Sequence, residues 1–290
     1  TLEPCAHFGK TPPCVTRIIE SHPQRVVVAM EDPNPLVAGK GIQALKAAGI
    51  ESQVGVLEEE AHNLNEIFVK FITTKTPFVI AKWAMTLDGK IATISGDSKY
   101  ISASDSLKRV HQLRAEVDAI LVGGRTVTKD NPLLTVRHIQ DNYKNPIRIV
   151  LDTKEPLSKE LNIFKDKGSA PTWVVTPYHR DYPFADKIIE LDPIEKGYVP
   201  LNDLMTELGR LEISSLLIEG GGETLSSAFS QQIVDKVYCF VCPMIFGGKH
   251  AITPVAGDGI AQKVNESVNL RISSVKKLNH DILIESYIIK

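Results

Sequence analysis

The sequence predicts an α/β protein built in two parts. Short aliphatic runs alternate with helix-spaced stretches along the whole chain, the pattern of a mainly parallel sheet covered by helices. The alternation pauses at residues 73–77 (TTKTP) and then restarts, placing one domain at 1–75 and a second at 76–290. Two of the apolar runs end directly in glycines that open a helix.

Each element has its own signal. A helix follows Pro12-Pro13, because proline suits a first turn and Val15, Ile18 and Ile19 share helical spacing. Residues 25–30 (RVVVAM) read as a buried strand, 39–48 as a helix stopped by Gly49, and 50–56 as a second strand. Residues 58–71 read as one helix with acidic residues in its first turn. In the second domain, strands are expected at 78–85, 119–122, 147–151, 172–175, 214–218 and 236–242. An antiparallel hairpin is expected near 271–277 and 282–288. Residues 104–118 form a helix capped by Ser104 or Asp105, with Leu107, Val110, Leu113 and Val117 as its apolar stripe.

Composition narrows the class. Hydrophobic content of 43% with 23% charged residues fits a soluble globular protein, and a net charge of −2 gives no general attraction to nucleic acid. No apolar run approaches the roughly 20 residues of a membrane span, and no signal peptide opens the chain. A cytoplasmic enzyme is the expectation, without structural disulfides. The chain opens Thr1-Leu2-Glu3-Pro4-Cys5 without an initiator Met, which predicts entry partway through a domain.

The chemistry concentrates in three places. In SSLLIEGGGETLSSAF (214–229) a buried strand runs into three glycines and a helix, and exposed amides at such a helix start favour an anion. The same design recurs in AILVGGRTV (119–127), and two glycine-lined strand ends in one parallel sheet make a cofactor crevice. Arg114, Arg125 and Arg137 lie nearby and offer bidentate partners for phosphate. The third place, TLEPCAHFGKTPPC, holds Cys5 and Cys14 in a tight loop, two thiols of the kind that bind zinc in deaminases, with His7 as a conceivable further ligand. Cys239 and Cys242 form a C-x-x-C on an apolar run, where residues three apart point to opposite faces and cannot share a metal.

Taken together, TLEPCAHFGKTPPC, EDPNPLVAGKG, AKWAMTLDGKIAT, GDSKYI, ILVGGRTVTKDNPLLTVR, RIVLDT, IEGGGETL and PMIFGG resemble the bacterial bifunctional deaminase/reductase family of riboflavin biosynthesis, over essentially the whole chain. The resemblance implies a cytidine-deaminase-like zinc domain, followed by a dihydrofolate-reductase-like domain that uses NADPH to reduce the ribosyl chain of a phosphorylated ribosylaminopyrimidine to ribityl. It matches Cys5 and Cys14 to two zinc ligands. The H-A-E motif that supplies the third ligand and the proton-shuttling Glu has no counterpart, which implies a truncated deaminase domain with an incomplete zinc site and impaired deamination. For the cofactor it matches Ala84, Tyr100, Thr126, Asp130, Thr153, Gly221, Gly222, Glu223, Thr224, Leu225, Ser226 and Ser227. For the substrate it matches Ser98, Arg114, Leu133, Leu134, Arg137 and Glu219. Lys82 matches a lysine beside the reacting ribose and, with Glu219, forms the expected catalytic pair; Arg114 and Arg137 are the expected anion binders. A homo-oligomer is implied as well. The competing expectations are a working zinc deaminase with a ligand supplied from elsewhere, and a non-catalytic binding protein.

Overall fold

Every strand and helix below is taken from a computed structural model that describes all residues except 1, 10, 99–100, 140–142, 153–154, 195–196 and 290. The chain divides into two units, Thr1–Thr76 and Pro77–Lys290.

In the first unit, α1 (Cys14–Glu20) starts directly after Pro13, followed by β1 (Arg25–Val28), α2 (Lys40–Ala47) and β2 (Glu51–Val54). The two strands pair in parallel, with Arg25 opposite Glu51. A small core of Val15, Leu45 and Ile50 joins them. The strand expected to be buried is not: Val28 and Met30 are inside, but Val27 is 50% exposed. The helix expected at 58–71 is two helices, α3 (Glu58–Leu64) and α4 (Glu66–Thr74). Asn65 breaks it by donating its side-chain amide to the Ala61 carbonyl, the local competition that makes Asn a poor interior residue. Helix α4 then runs into the expected joint, where Thr73 and Thr74 donate their hydroxyls to the Val69 and Lys70 carbonyls.

The second unit contains β3 (Phe78–Thr86), α5 (Ser104–Glu116), β4 (Ala119–Gly123), α6 (Gly124–Asp130), β5 (Ile147–Leu151), α7 (Asn162–Lys165), β6 (Thr172–Thr176) and β7 (Lys187–Glu190). It continues with α8 (Leu201–Arg210), β8 (Ser215–Glu219), α9 (Gly222–Ser230), β9 (Lys236–Cys242), β10 (Leu270–Leu278) and β11 (Asp281–Ile288). Among the described residues these strands form one nine-stranded sheet, ordered β10-β11-β9-β3-β8-β4-β5-β6-β7. Pairing is parallel from β9 to β7 and antiparallel for β11 on β9 and β10 on β11, so the expected hairpin closes one edge. Central strands read as unbroken apolar runs because helices cover both faces. On one face Val79, Ala81, Leu216 and Ile218 pack against Leu204 and Leu208 of α8 and Leu225 and Ala228 of α9.

Strand β8 inserts between β3 and β4, and β9 lies on the other side of β3. This reversal of order leaves a crevice at the carboxyl ends of the parallel strands. Helix α5 differs from expectation at its start: its N-cap is Ala103, and neither Ser104 nor Asp105 caps it. Instead the Ala103 N–H and the Ser106 hydroxyl both donate to the buried Asp281 carboxylate of β11, at 2.8 and 2.6 Å. Leu107 also leaves the expected stripe; it is 43% exposed, while Val110, Leu113 and Val117 are buried.

Candidate active site

A cavity of about 1100 Å³ opens at the carboxyl ends of β3, β4 and β8. It exceeds the roughly 300–1,000 Å³ of an ordinary single-ligand pocket, leaving room for a dinucleotide and a second molecule.

Its charged wall is built by strand pairing. Residues 79, 81, 83 and 85 of β3 face the core under α8 and α9. Lys82 therefore points to the opposite face, and the parallel register sets it beside Glu219 of β8. From the last turn of α5, Arg114 grips Glu219 with two bonds, Nε to Oε1 at 2.6 Å and Nη2 to Oε2 at 2.8 Å. Its Nη1 donates to the Thr135 carbonyl at 3.0 Å. Burial alone would raise the Glu219 carboxyl, but the charge and hydrogen bonds of Arg114, helped by Lys82, hold it down at about 2. Burial lowers the Lys82 ammonium, and the charge of Glu219 only partly offsets this. The site thus holds a fixed carboxylate beside a lysine readier than usual to release a proton.

Behind them, His111 accepts the Arg137 backbone N–H on Nδ1 at 2.9 Å. Burial and the charges of Arg114, Arg137 and His138 push it down to about 4, so it is neutral near pH 7.

The opposite wall consists of the two glycine turns, which interlock. A Cβ on Gly123 would lie 2.6 Å from Thr224 Oγ1, and one on Gly221 2.9 Å from Thr126 Oγ1. Gly222 is held as closely, 2.8 Å from the Thr253 carbonyl. Gly220 differs. Its φ is +70°, and its Cβ would meet only the Thr126 methyl, at 4.0 Å, so its Cα faces the cavity. The first amides of α9 open onto the same space, a donor set suited to a phosphate. Arg125 of α6 pairs with Glu223 of α9 across the turns, at 2.8 Å. Cavity size, bare glycine and helix amides together fit a dinucleotide.

Of the expected substrate residues, Ser98, Arg114, Leu134 and Glu219 line this cavity. Of the expected cofactor residues, Ala84, Thr126, Asp130, Gly221 to Thr224 and Ser227 do so. Others do not. Leu225 lies in the hydrophobic core, and Ser226 packs on Gly257, because helical periodicity turns that part of α9 away. Leu133 gives its carbonyl to the buried Arg148. Arg137 is exposed and outside the wall. Tyr100 and Thr153 lie outside the described residues. Arg114, expected as an anion binder, lines the cavity with its guanidinium bonded to Glu219 and to the Thr135 carbonyl. Asp152, Trp83 and Tyr198 line the cavity without having been singled out. Asp152 was within reach of sequence reasoning, since it sits inside the RIVLDT motif.

The cysteines separate as their strand and loop positions require. In the first unit the Cys14 N–H donates to Cys5 Sγ at 3.3 Å. Among the described residues no group of three His, Cys, Asp or Glu is placed to hold a metal, so the residues present do not fit a zinc site. Cys239 lies in the core beside Trp83, its thiol pushed up to about 11 by burial. Burial and Asp281 raise Cys242 to about 12 on the other face.

The sequence pattern of the RibD C-terminal domain family matches residues 77–284. The chain is 43% identical over 287 residues to the riboflavin biosynthesis protein RibD of Aquifex aeolicus (strain VF5), covering 98% of this chain and 78% of that protein. It is 40% identical to the protein of the same name from Actinobacillus pleuropneumoniae, over 100% of this chain and 77% of the relative. Among solved structures it resembles a diaminohydroxyphosphoribosylaminopyrimidine deaminase/5-amino-6-(5-phosphoribosylamino)uracil reductase from Thermotoga maritima. That match has a TM-score of 0.86 and 36% identity, covering 100% of this chain and 78% of the other.

Proposed function

The chain belongs to the RibD family and is an NADPH-dependent pyrimidine reductase of riboflavin biosynthesis, and from this premise we propose how its site carries out the reduction. The substrate is 5-amino-6-(5-phosphoribosylamino)uracil, and the reacting atom is C1′ of its ribose. One observation carries this reading: Lys82, the Arg114–Glu219 pair and both glycine turns open into a single cavity.

When bound, NADPH supplies the hydride that C1′ accepts. The chain's residues do the rest. Gly220 and the first amides of α9 receive phosphate oxygens, with Thr126, Asp130, Thr224 and Ser227 along the cofactor's path. Lys82 donates a proton to the ring oxygen as the C1′–O bond breaks. The exocyclic nitrogen lone pair moves into a C=N bond, and addition at C1′ leaves a ribityl amine. The balance is one hydride and one proton, and Lys82 regains its proton from solvent. Glu219, held ionised and immobile by Arg114, accepts sugar hydroxyls and keeps the Lys82 ammonium pointed at the ring. Ser98 and Leu134 close the substrate side, and exposed Arg137 takes the substrate phosphate from outside the wall.

The paired thiols Cys5 and Cys14 correspond by resemblance to zinc ligands of a deaminase-like first unit. With no third ligand among the described residues, no deamination step is derived from them.

Lys82→Met tests the assignment. Loss of a positioned acid should lower kcat by about 10²–10⁴-fold, with NADPH affinity unchanged. A kcat within threefold of the parent would remove Lys82 from the chemistry.

A further inference from the structure

Between α6 and β5 the chain crosses the substrate side of the cavity, with Pro132 and Leu134 in the cavity wall and Arg137 beyond it. Residues 131–138 belong to no helix or strand, so no ladder or helical turn organises their backbone. Leu134 is buried with φ +54°, a left-handed conformation that a non-glycine residue keeps only where its surroundings impose it.

Side chains impose it here. Arg148 of β5 donates to the Leu133 carbonyl at 3.3 Å, and Arg114 of α5 to the Thr135 carbonyl at 3.0 Å. On the next two residues the backbone is the donor. The Val136 N–H donates to Asn145 Oδ1 at 2.6 Å, and the Arg137 N–H to His111 Nδ1 at 2.9 Å. The peptide joining Thr135 to Val136 is thus held at its carbonyl by one side chain and at its N–H by another. Asn145 is anchored in turn, its amide donating to the Ser169 carbonyl at 2.9 Å. His111 is buried, and the His138 ring packs edge-on against it at 4.9 Å. His111 and Arg114 are three residues apart, so one face of α5 presents both to the loop. The helix that fixes Glu219 therefore also fixes the substrate wall. Neither His111 nor Asn145 lines the cavity, so each acts through the backbone it holds.

We propose that His111 and Asn145 are positioning residues of the substrate wall. By accepting the consecutive Arg137 and Val136 N–H groups, they set Leu134 against the substrate and Arg137 toward its phosphate. This assignment rests on the reductase reading above and adds the side chains that organise substrate binding separately from cofactor binding.

The test combines steady-state kinetics with 5-amino-6-(5-phosphoribosylamino)uracil and NADPH titration by fluorescence, on the full chain and on His111→Leu, His111→Asn and Asn145→Ala. His111→Leu and Asn145→Ala each leave one loop N–H without its acceptor. Each should raise KM for the pyrimidine at least about fivefold, the scale of one lost hydrogen bond. Their kcat and NADPH affinity should stay within about twofold of the parent, the pattern of lost binding rather than lost chemistry. His111→Asn keeps an acceptor and should recover most of the parent's KM. If His111→Leu fails to fold, Asn145→Ala, at a half-buried position, decides by the same split. A parent-like KM in either His111→Leu or Asn145→Ala overturns the proposal. So does a His111→Asn as impaired as His111→Leu, or an equal weakening of NADPH binding, which would mark general damage to the fold. A parent that does not turn over the pyrimidine instead overturns the reductase reading on which the proposal rests.

Discussion

Glu219 and Arg114 show how single residues set the chemistry. The pair is nearly buried, at 9% and 12% exposure, and makes two direct bonds. Removing one partner strands the other's charge away from water, so Glu219→Gln should cost about 3–5 kcal/mol in urea unfolding. A cost below 1 kcal/mol would contradict that account. Because the folded carboxyl is depressed to about 2 from an ordinary 4.5, its contribution is present above pH 4.5 and is lost as pH falls towards 2. His111 acts in a higher window. Its folded value is depressed from 6.5 to about 4, so the unfolded chain takes up the proton first, and about 3 kcal/mol is lost as pH drops from 6.5 to 4. His111→Asn, which retains an acceptor for the Arg137 N–H, should flatten the pH dependence of the unfolding midpoint across that window; an unchanged slope would reject the assignment. Of these residues the sequence made Glu219, Arg114 and Lys82 visible through motifs. It could not show that Arg114 is committed to Glu219, since that bond spans 105 positions and depends on the β3–β8–α5 packing. Nor did His111 stand out, because a helical histidine acquires its role only when the loop at Arg137 folds onto it.

The glycine turns carry the element-scale lesson. Reading them as strand–glycine–helix junctions located the cavity wall, yet their glycines serve different ends. Gly221 has φ +78° and little space, while Gly220 has φ +70° and faces the open cavity. Gly221→Ala should therefore lower stability by more than the roughly 1 kcal/mol of backbone strain, because the methyl also meets Thr126. Gly220→Ala should lose stability mainly through strain but weaken dinucleotide binding severalfold. Equal effects of the two substitutions on binding would undo the distinction. Elsewhere, legibility followed periodicity. Buried strands such as β4, β8 and β9 were readable because both faces are covered. Helix α8 carries Leu201, Leu204, Met205 and Leu208 on one face at helical spacing, a legible signal that the expected elements do not include. Strand β7 offers only four residues, too few for a pattern. Helices α3 and α4 look like one helix in sequence because Asn65 interrupts the backbone without disturbing the composition around it.

At the scale of the whole molecule, the two units differ in how much they bury. The first has a two-stranded parallel sheet and a core centred on Val15, Leu45 and Ile50; the second has a long sheet with helices packed along it. Two strands alone are marginal in water, so backbone amides of β1 and β2 should exchange faster than those of β3, β4 and β8 by hydrogen–deuterium exchange. Equal protection would show that the first unit draws stability from something other than its own core. The family-level reading of the chain came from the joint presence of many short motifs, whereas composition gave only the broad class. The cavity of the second unit should support reduction without a metal. The most direct test is NADPH oxidation in a single turnover with 5-amino-6-(5-phosphoribosylamino)uracil, using chelator-treated protein of verified fold. The account predicts stoichiometric oxidation at a rate unchanged by added zinc; absence of oxidation, or oxidation only after zinc is restored, would contradict it.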